Sequence, residues 1–164
     1  MKKISELKAV DKDLTQHLEF ERLIAEIAAR LANVQPETID AEIQETLNSL
    51  GRFLKSERAF VFQFTDDGKS LKTTHLWAAE GFSPQSEIFK LDLASDIPWV
   101  ARQIRSGRVI AVGPGYVGLP DEAQELRKQL ERDGINSGFV VPISVEGRPI
   151  GMLGLDTVDK AREY

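Results

Sequence analysis

The chain has 164 residues, of which 41% are hydrophobic and 29% charged, a composition typical of one globular domain with a single core. Its formal net charge is −5 and Lys and Arg form no dense run, which argues against nucleic-acid binding and against contact with an anionic membrane. The sequence contains no cysteine, which removes disulfides, thiolate nucleophiles and sulfur-ligated zinc and fits a cytoplasmic location.

The first segment, residues 4–34, lacks Pro and Gly and is predicted to form one long helix with two apolar stripes on nearly opposite faces. The stripe of its second half, from Phe20 to Val34, is expected to pack on the chain's own domain. The stripe of its first half has no obvious cover, and it consists of Ile4, Leu7, Val10, Leu14 and Leu18. We therefore expect residues 1–34 to be a signalling helix that forms a homodimer through this stripe. The alternative is that residues 1–18 fray or bend back onto the domain.

A second helix and a β-hairpin follow. Thr38 is a predicted N-cap for an amphipathic helix that ends near Leu54. Residues 58–65 alternate, with Phe60, Phe62 and Phe64 on one face, and a turn at 66–69 leads to a partner strand at 71–79.

The remaining elements are shorter. We predict a strand at 89–93, a helix capped by Ser95 or Asp96, a strand at 109–112, a Gly-rich loop at 113–118, a helix at 120–133 and a hairpin at 136–156. Tight turns between strands favour an α+β fold with a central antiparallel β-sheet of about six strands and helices on both faces. Pro142 inside a strand predicts a sheet edge or a bulge.

The last hairpin carries a specific sequence pattern. Gly134 ends a helix, Ser137 and Val141-Pro142 follow, and Gly147 turns the chain into Gly151-Met152-Leu153-Gly154. This order closely resembles the closing hairpin of GAF domains, which are sensory modules of bacterial signalling proteins with a PAS-related architecture. The resemblance covers roughly residues 36–160, and Thr74 to Gly81 is similar to the family's second strand.

The resemblance implies a place in a larger protein. Related domains accompany PAS domains, histidine kinases of two-component systems or cyclic-di-GMP enzymes, so we expect upstream and downstream domains of the same parent. It assigns residues 35–164 to the sensor domain and predicts that the chain is truncated before the family's closing C-terminal helix.

The cofactor stays unknown at this stage. The Asn-Lys-x-x-x-Phe motif of cyclic-nucleotide-binding members is absent, which argues against a cyclic nucleotide. Family members usually attach bilins through cysteine, and the lack of cysteine predicts that there is no covalent bilin.

The candidate ligand pocket combines aromatic walls with one polar group. Its predicted residues are Phe62, His75, Trp77, Ile97, Trp99, Tyr116 and Phe139. The plainer interpretation makes Trp77 and Trp99 core residues and His75 a half-buried strand residue. His17 and His75 belong to no cluster with metal-ligand spacing, and no Ser-His-Asp or paired-acid arrangement exists, so we predict neither a metal site nor catalysis.

Two functions remain in competition. The chain is predicted to be a sensor whose pocket binds a small molecule and whose terminal helices relay the bound state to an output domain. The alternative is a ligand-free dimerisation module whose pocket is filled by its own side chains.

Overall fold

A computed structural model of the chain describes residues 2–82 and 90–158, and the side chains of residues 11–82 and 91–158 within them. Its elements in chain order are α1 (Lys2–Ala32), α2 (Ile39–Leu54), β1 (Arg58–Phe64), β2 (Ser70–Ala78), β3 (Lys90–Asp92), α3 (Pro98–Arg105), β4 (Ile110–Val112), α4 (Gln124–Arg132), β5 (Ser137–Val145) and β6 (Arg148–Thr157). Short 3₁₀ turns lie at Pro114–Tyr116 and Asp121–Ala123. The predicted order of helices and strands is confirmed, and Phe89 of the predicted third strand lies outside the described residues.

The strands form one six-stranded sheet in the order β3-β2-β1-β6-β5-β4, and every described pair is antiparallel. The α+β prediction is therefore confirmed. Pro142 pairs with Met152 of β6, whereas the described pairing of β4 with β5 stops at Val140. The missing N–H of Pro142 thus falls on an open edge, and a register shift follows between Ile143 and Ser144, as predicted for this proline.

Of the predicted helix caps, Thr38 lies at the N-cap position of α2 as expected, whereas neither Ser95 nor Asp96 caps α3. Helix α3 has Ile97 as its N-cap, and Asp96 Oδ2 accepts a hydrogen bond from the backbone N–H of Asp92, closing the preceding turn. Pro98 occupies the start of α3, where its fixed φ suits the helix and its missing N–H needs no partner. Thr38 does precede α2, but its hydroxyl donates to the carbonyl of Gln35 and makes no cap bond.

Helices cover both faces of the sheet, and each face has its own core. On the α1–α2 face, the buried cluster consists of Ile27, Leu47, Leu50, Ala59 and Leu155. On the α3–α4 face, a larger cluster joins the sheet to α3, β4 and α4, with Phe62, Leu71, Ile97, Val100, Ile104 and Met152 among its members. The phenylalanines of β1 alternate onto the α3–α4 face, and Ala59 and Val61 onto the other, as their spacing predicts.

Helix α1 has two different halves. In its second half Phe20 packs against Phe53 of α2 with ring centroids 5.6 Å apart, and Leu23, Ile27 and Leu31 join the α1–α2 core. In its first half every residue from 11 to 19 is exposed, and the side chains of Leu14 and Leu18 are each 56% accessible. The side chains of Ile4, Leu7 and Val10 lie outside the described set. Across the described residues no helix combines the length and apolarity needed to cross a bilayer.

Candidate ligand-binding site

A cavity of about 240 Å³ lies on the α3–α4 face, between the sheet and the helices. Its walls are mostly apolar, and they include Phe60, Phe62, Leu76, Ile97, Val100, Ile110, Val112, Leu130 and Met152. Apolar walls with a few convergent polar groups are typical of small-molecule sites. The volume lies below the ~300 Å³ at which pockets for drug-sized ligands begin, so the cavity suits a small occupant.

The floor of the cavity is aromatic. Phe60 and Phe62 of β1 meet edge to face, with ring centroids 5.2 Å apart and planes at 82°. The Phe60 ring lies directly over Gly154 of β6, where an added Cβ would collide with it. The second glycine of the Gly151-Met152-Leu153-Gly154 pattern is therefore needed for packing of the cavity floor.

One end of the cavity carries a closed ion pair. Arg58 donates two hydrogen bonds to Asp156, from Nε to Oδ1 and from Nη2 to Oδ2, each 2.8 Å long. Both side chains are largely buried, at 13% and 8% exposure. Burial raises the pKa of Asp156 above its usual value, and the hydrogen bonds and charge of Arg58 oppose that shift. The bidentate geometry satisfies both carboxylate oxygens, which lets the pair persist away from water.

Thr73 supplies an isolated polar group elsewhere in the wall. Thr73 is one of the residues that line the cavity, it is only 8% exposed, and its Oγ1 is fully buried with no hydrogen-bond partner among the described residues. A buried hydroxyl without a partner is unfavourable. Sequence reasoning missed Thr73, since a single Thr in a strand is ordinary; its alternation with Leu71 was the available signal.

Three of the predicted pocket residues border the cavity, namely Phe62, Ile97 and Phe139. Phe139 borders the cavity only by its position in β5. Its side chain packs in the α1–α2 core, whereas that of its neighbour Val140 packs on the α3–α4 face. Trp99 and Tyr116 pack against the α3–α4 core without lining the cavity.

The loop before α4 contributes Tyr116, which has a φ of +64° and stacks under the guanidinium of Arg127, 5.6 Å from the ring centroid. The loop is closed by a hydrogen bond from the N–H of Gly113 to the carbonyl of Val117. This arrangement holds Tyr116 against the α3–α4 core.

His75 and Trp77 lie on the other side of the sheet, which corrects their assignment to a shared pocket. The pairing of β1 with β2 runs from Val61↔His75 to Phe62↔Thr73, so Thr74 is an extra residue, a β-bulge. The bulge reverses the alternation, so that Thr73 faces the cavity whereas His75 and Trp77 face α2.

Both displaced residues have structural contacts there. The ring of Trp77 packs directly on the backbone of α2 at Gly51, where a Cβ would overlap it. His75 Nε2 lies 3.3 Å from Oδ1 of Asp40, near the start of α2. The geometry therefore supports the interpretation of Trp77 as a core residue and of His75 as a half-buried strand residue.

Among the described side chains, those of residues 11–82 and 91–158, no three His, Asp or Glu groups are placed together as a metal site. The described cavity wall likewise offers no nucleophile beside a general base: its titratable groups are the Arg58–Asp156 pair and, at the end of α4, Arg132 and Asp133. The arrangement can enclose a ligand and hydrogen-bond to it.

Comparison with known proteins agrees with this geometry. The sequence model of the GAF domain family matches residues 38–163. The methanogenesis regulatory histidine kinase FilI of Methanothrix harundinacea (strain 6Ac) is 30% identical over 149 residues, which cover 88% of this chain and 16% of that kinase. The chain thus corresponds to a small part of its curated relative.

Solved structures share the fold at low sequence identity. The phycocyanobilin-bound GAF domain from a cyanobacterial phytochrome has a TM-score of 0.71 and 20% identity, covering 88% of this chain and 82% of that one. The far-red absorbing dark state of JSC1_58120g3 with bound biliverdin IXα has a TM-score of 0.62 and 16% identity, covering 88% and 85%.

These structures correct the cofactor prediction. The absence of cysteine led to the expectation of an unknown cofactor other than a covalent bilin, whereas two of the solved domains with this fold are bound to bilins. A missing cysteine is therefore no ground for excluding a cofactor of this class from the fold.

Proposed function

The chain belongs to the GAF domain family, and from that premise we propose that it senses a small molecule in the α3–α4 cavity and relays the bound state to other domains of its parent protein. GAF domains are sensory and not catalytic, so the chain itself is not an enzyme. Its relative FilI is a regulatory histidine kinase, which supports a kinase as the output; a cyclic-di-GMP enzyme is the other output we consider.

The observation that carries the sensing proposal is the unfilled cavity. A ligand-free dimerisation module would fill this space with its own side chains, yet Phe62 and Ile97 line about 240 Å³ of open volume. The wall also includes polar residues, namely Thr73 and the Arg58–Asp156 pair. Protein interiors are close-packed, so an empty volume with a polar group in its wall favours a binding role.

The relay is proposed to run through the sheet to the helices. Strand β1 contributes Phe62 to the cavity and Ala59 to the opposite core, so a shift of the strand acts on both faces. Trp77 of β2 transmits it to α2 at Gly51. Helix α2 is in turn joined to α1 by the Phe20–Phe53 contact and by Arg30, whose Nε lies 3.4 Å from Glu42 Oε2.

The exposed half of α1 is proposed to pair with a second copy in a cytoplasmic homodimer. Leu14 and Leu18 lie one helical turn apart, and both are exposed. The same stripe continues in the sequence through Ile4, Leu7 and Val10. Such a pairing buries apolar side chains that are otherwise in water and aligns two output domains side by side.

The sensing proposal is tested by native mass spectrometry of the full chain, compared with the same sample after denaturation. We expect an added mass that is released on denaturation, from a small molecule that matches a cavity of about 240 Å³. The control is Val100→Phe, which places a ring in the cavity from α3 and is expected to lose the added mass. A wild-type chain that stays bare under every condition would refute the proposal.

The dimer is tested separately by light scattering coupled to size exclusion. We expect the chain to run as a dimer and the variant Leu14→Glu/Leu18→Glu as a folded monomer, because like charges would face each other across the helix pair. The matched control is Lys12→Glu/Glu19→Lys, which changes exposed charged positions outside the apolar stripe. A dimer that survives the leucine changes would place the contact elsewhere.

A further inference from the structure

We infer that Leu76 couples the cavity to helix α2, so that an occupant of the cavity displaces α2 through this residue of β2. The inference rests on the proposed sensing function and adds the place where the bound state leaves the cavity. Leu76 lines the cavity, and its backbone carbonyl is bonded to a side chain of α2. It is thus joined to both sides of the sheet.

The side chain of Leu76 lies on the cavity side of the sheet. In the register of β1 with β2, Leu76 is opposite Phe60, whose ring forms part of the cavity floor. Residues directly opposite each other in an antiparallel pair place their side chains on the same face. Leu76 is half-buried, so it keeps accessible surface in the wall of the cavity. An occupant that fills the cavity is therefore in reach of this side chain.

The backbone of Leu76 is bonded to α2. Gln44 of α2 donates a hydrogen bond from Nε2 to the carbonyl oxygen of Leu76, with a length of 3.2 Å. The described pairing of β3 with β2 ends at Lys72, so β3 does not hold this part of β2 in place. A displacement of β2 at Leu76 therefore acts on α2 through a direct bond.

The residues on either side of Leu76 also contact α2. His75 Nε2 lies 3.3 Å from Oδ1 of Asp40 in the first turn of α2, and Trp77 packs on Gly51 near the other end of the helix. Three consecutive residues of β2 thus contact α2 along most of its length, and the central one also borders the cavity. Coupling between two sites requires an element that both of them bias, and residues 75–77 meet this requirement.

Leu91 provides a matched control in the cavity wall. It lines the cavity from β3, and in the described structure it makes no hydrogen bond to α2. Leu76→Ala and Leu91→Ala remove the same atoms from two walls, of which only the first is bonded to α2. Asn48 is the matched reporter within α2, because its side-chain amide donates to Glu45 of the same helix.

The experiment is a titration of the full chain with benzene, which apolar cavities of comparable size admit, followed by two-dimensional NMR. Entry into the cavity is read from the methyl signals of Val100 and Met152, and the coupling from the side-chain NH₂ signals of Gln44. We expect the Gln44 signals to shift with the same midpoint as the cavity methyls. The side-chain NH₂ signals of Asn48 should stay in place.

The variants locate the coupling. In Leu76→Ala benzene should still shift the cavity methyls, but the response of Gln44 should be lost, because the shortened side chain no longer transmits contact with the occupant to the β2 backbone. Leu91→Ala should keep the response. If Leu76→Ala does not fold, Leu76→Val shortens the same side chain by one carbon and should weaken the response in the same direction.

The outcomes separate the inference from the proposed function. If benzene shifts the cavity methyls but leaves the Gln44 signals in place, or if the Leu76 variants keep the full response, the inference is overturned while the sensing function stands. If benzene moves no cavity methyl, the cavity does not admit ligands, and the proposed function fails together with the inference.

Discussion

The two faces of the sheet use the same strands in opposite ways. On the α1–α2 face Leu47 and Ala59 are completely buried and the Trp77 ring lies on the bare backbone of Gly51, so the sheet and helix interlock. On the α3–α4 face a cavity of about 240 Å³ remains, bordered by a buried ion pair and by Thr73. Tight packing on one face provides stability that lets the other face keep an unfilled volume.

The largest effect is expected from breaking the ion pair at the end of the cavity. Arg58→Met leaves Asp156 buried without its cation and should lower the free energy of unfolding by about 3–5 kcal/mol at pH 7.5. The double variant Arg58→Met/Asp156→Leu should recover most of the loss, because no charge remains buried. Urea unfolding measures the free energy of unfolding of both variants. The control Arg132→Met, at an exposed pair, should change this free energy by less than about 0.5 kcal/mol.

The pH dependence of Arg58→Met follows from the pKa of Asp156, which burial raises in the folded state and which loses its opposing partner in this variant. When the pKa of a group is higher in the folded state than in the unfolded state, the folded state binds more protons. Protonation of Asp156 therefore stabilises the fold below the unfolded-state pKa, and this stabilisation is lost as the pH rises through the folded-state pKa. The loss of stability caused by Arg58→Met should therefore be smaller at pH 4.5 than at pH 7.5. A deficit that grows on acidification would contradict the assignment.

The next largest effect concerns the interlocked face. Gly→Ala within a helix normally stabilises by about 1 kcal/mol, but a methyl group at Gly51 overlaps the Trp77 ring. We expect Gly51→Ala to destabilise the domain by about 1–3 kcal/mol in urea unfolding. Arg52→Ala, at the exposed neighbouring position, is the control and should be nearly neutral. A stabilised Gly51→Ala variant would mean that this face is less tightly packed than the contact indicates.

Adding volume to each face compares them directly. Val100→Leu extends a side chain into the cavity and should raise the free energy of unfolding by about 1 kcal/mol while weakening ligand binding. Ala59→Val, on the filled face, should lower it by about 1–3 kcal/mol. If thermal unfolding showed the same change in the free energy of unfolding for both variants, the two faces would not differ in how tightly they are packed.

The smallest effect is expected at Thr73. Replacing its unpaired hydroxyl by the methyl group of Val removes a buried polar atom, so Thr73→Val should stabilise the ligand-free chain by about 1 kcal/mol, or about 2–4 °C in melting temperature. Thr46→Val should give a similar gain without changing ligand binding. A destabilised Thr73→Val variant would indicate that the hydroxyl has a partner after all.

The apolar spacing of the sequence predicted the element order, the alternation of β1 and the packing of the second half of α1, because these follow from local periodicity. The sequence pattern did not predict the bulge at Thr74, because the bulge depends on how β1 and β2 align and not on either strand alone. The pairing of Arg58 with Asp156, 98 residues away, is likewise a product of the sheet register. A cavity, finally, is a deficit of volume between elements, and no local pattern records it.

The extra residue in β2, Thr74, separates two positions of the strand that can change independently in evolution. On one side of Thr74 the strand contributes Thr73 to the cavity wall, and on the other it contributes Trp77 to the contact with α2. Substitutions at these two positions fall in separate environments although they share one strand. Under the proposed sensing role, substitutions in the cavity wall can therefore change the ligand preference while the contact of Trp77 with α2 is inherited unchanged.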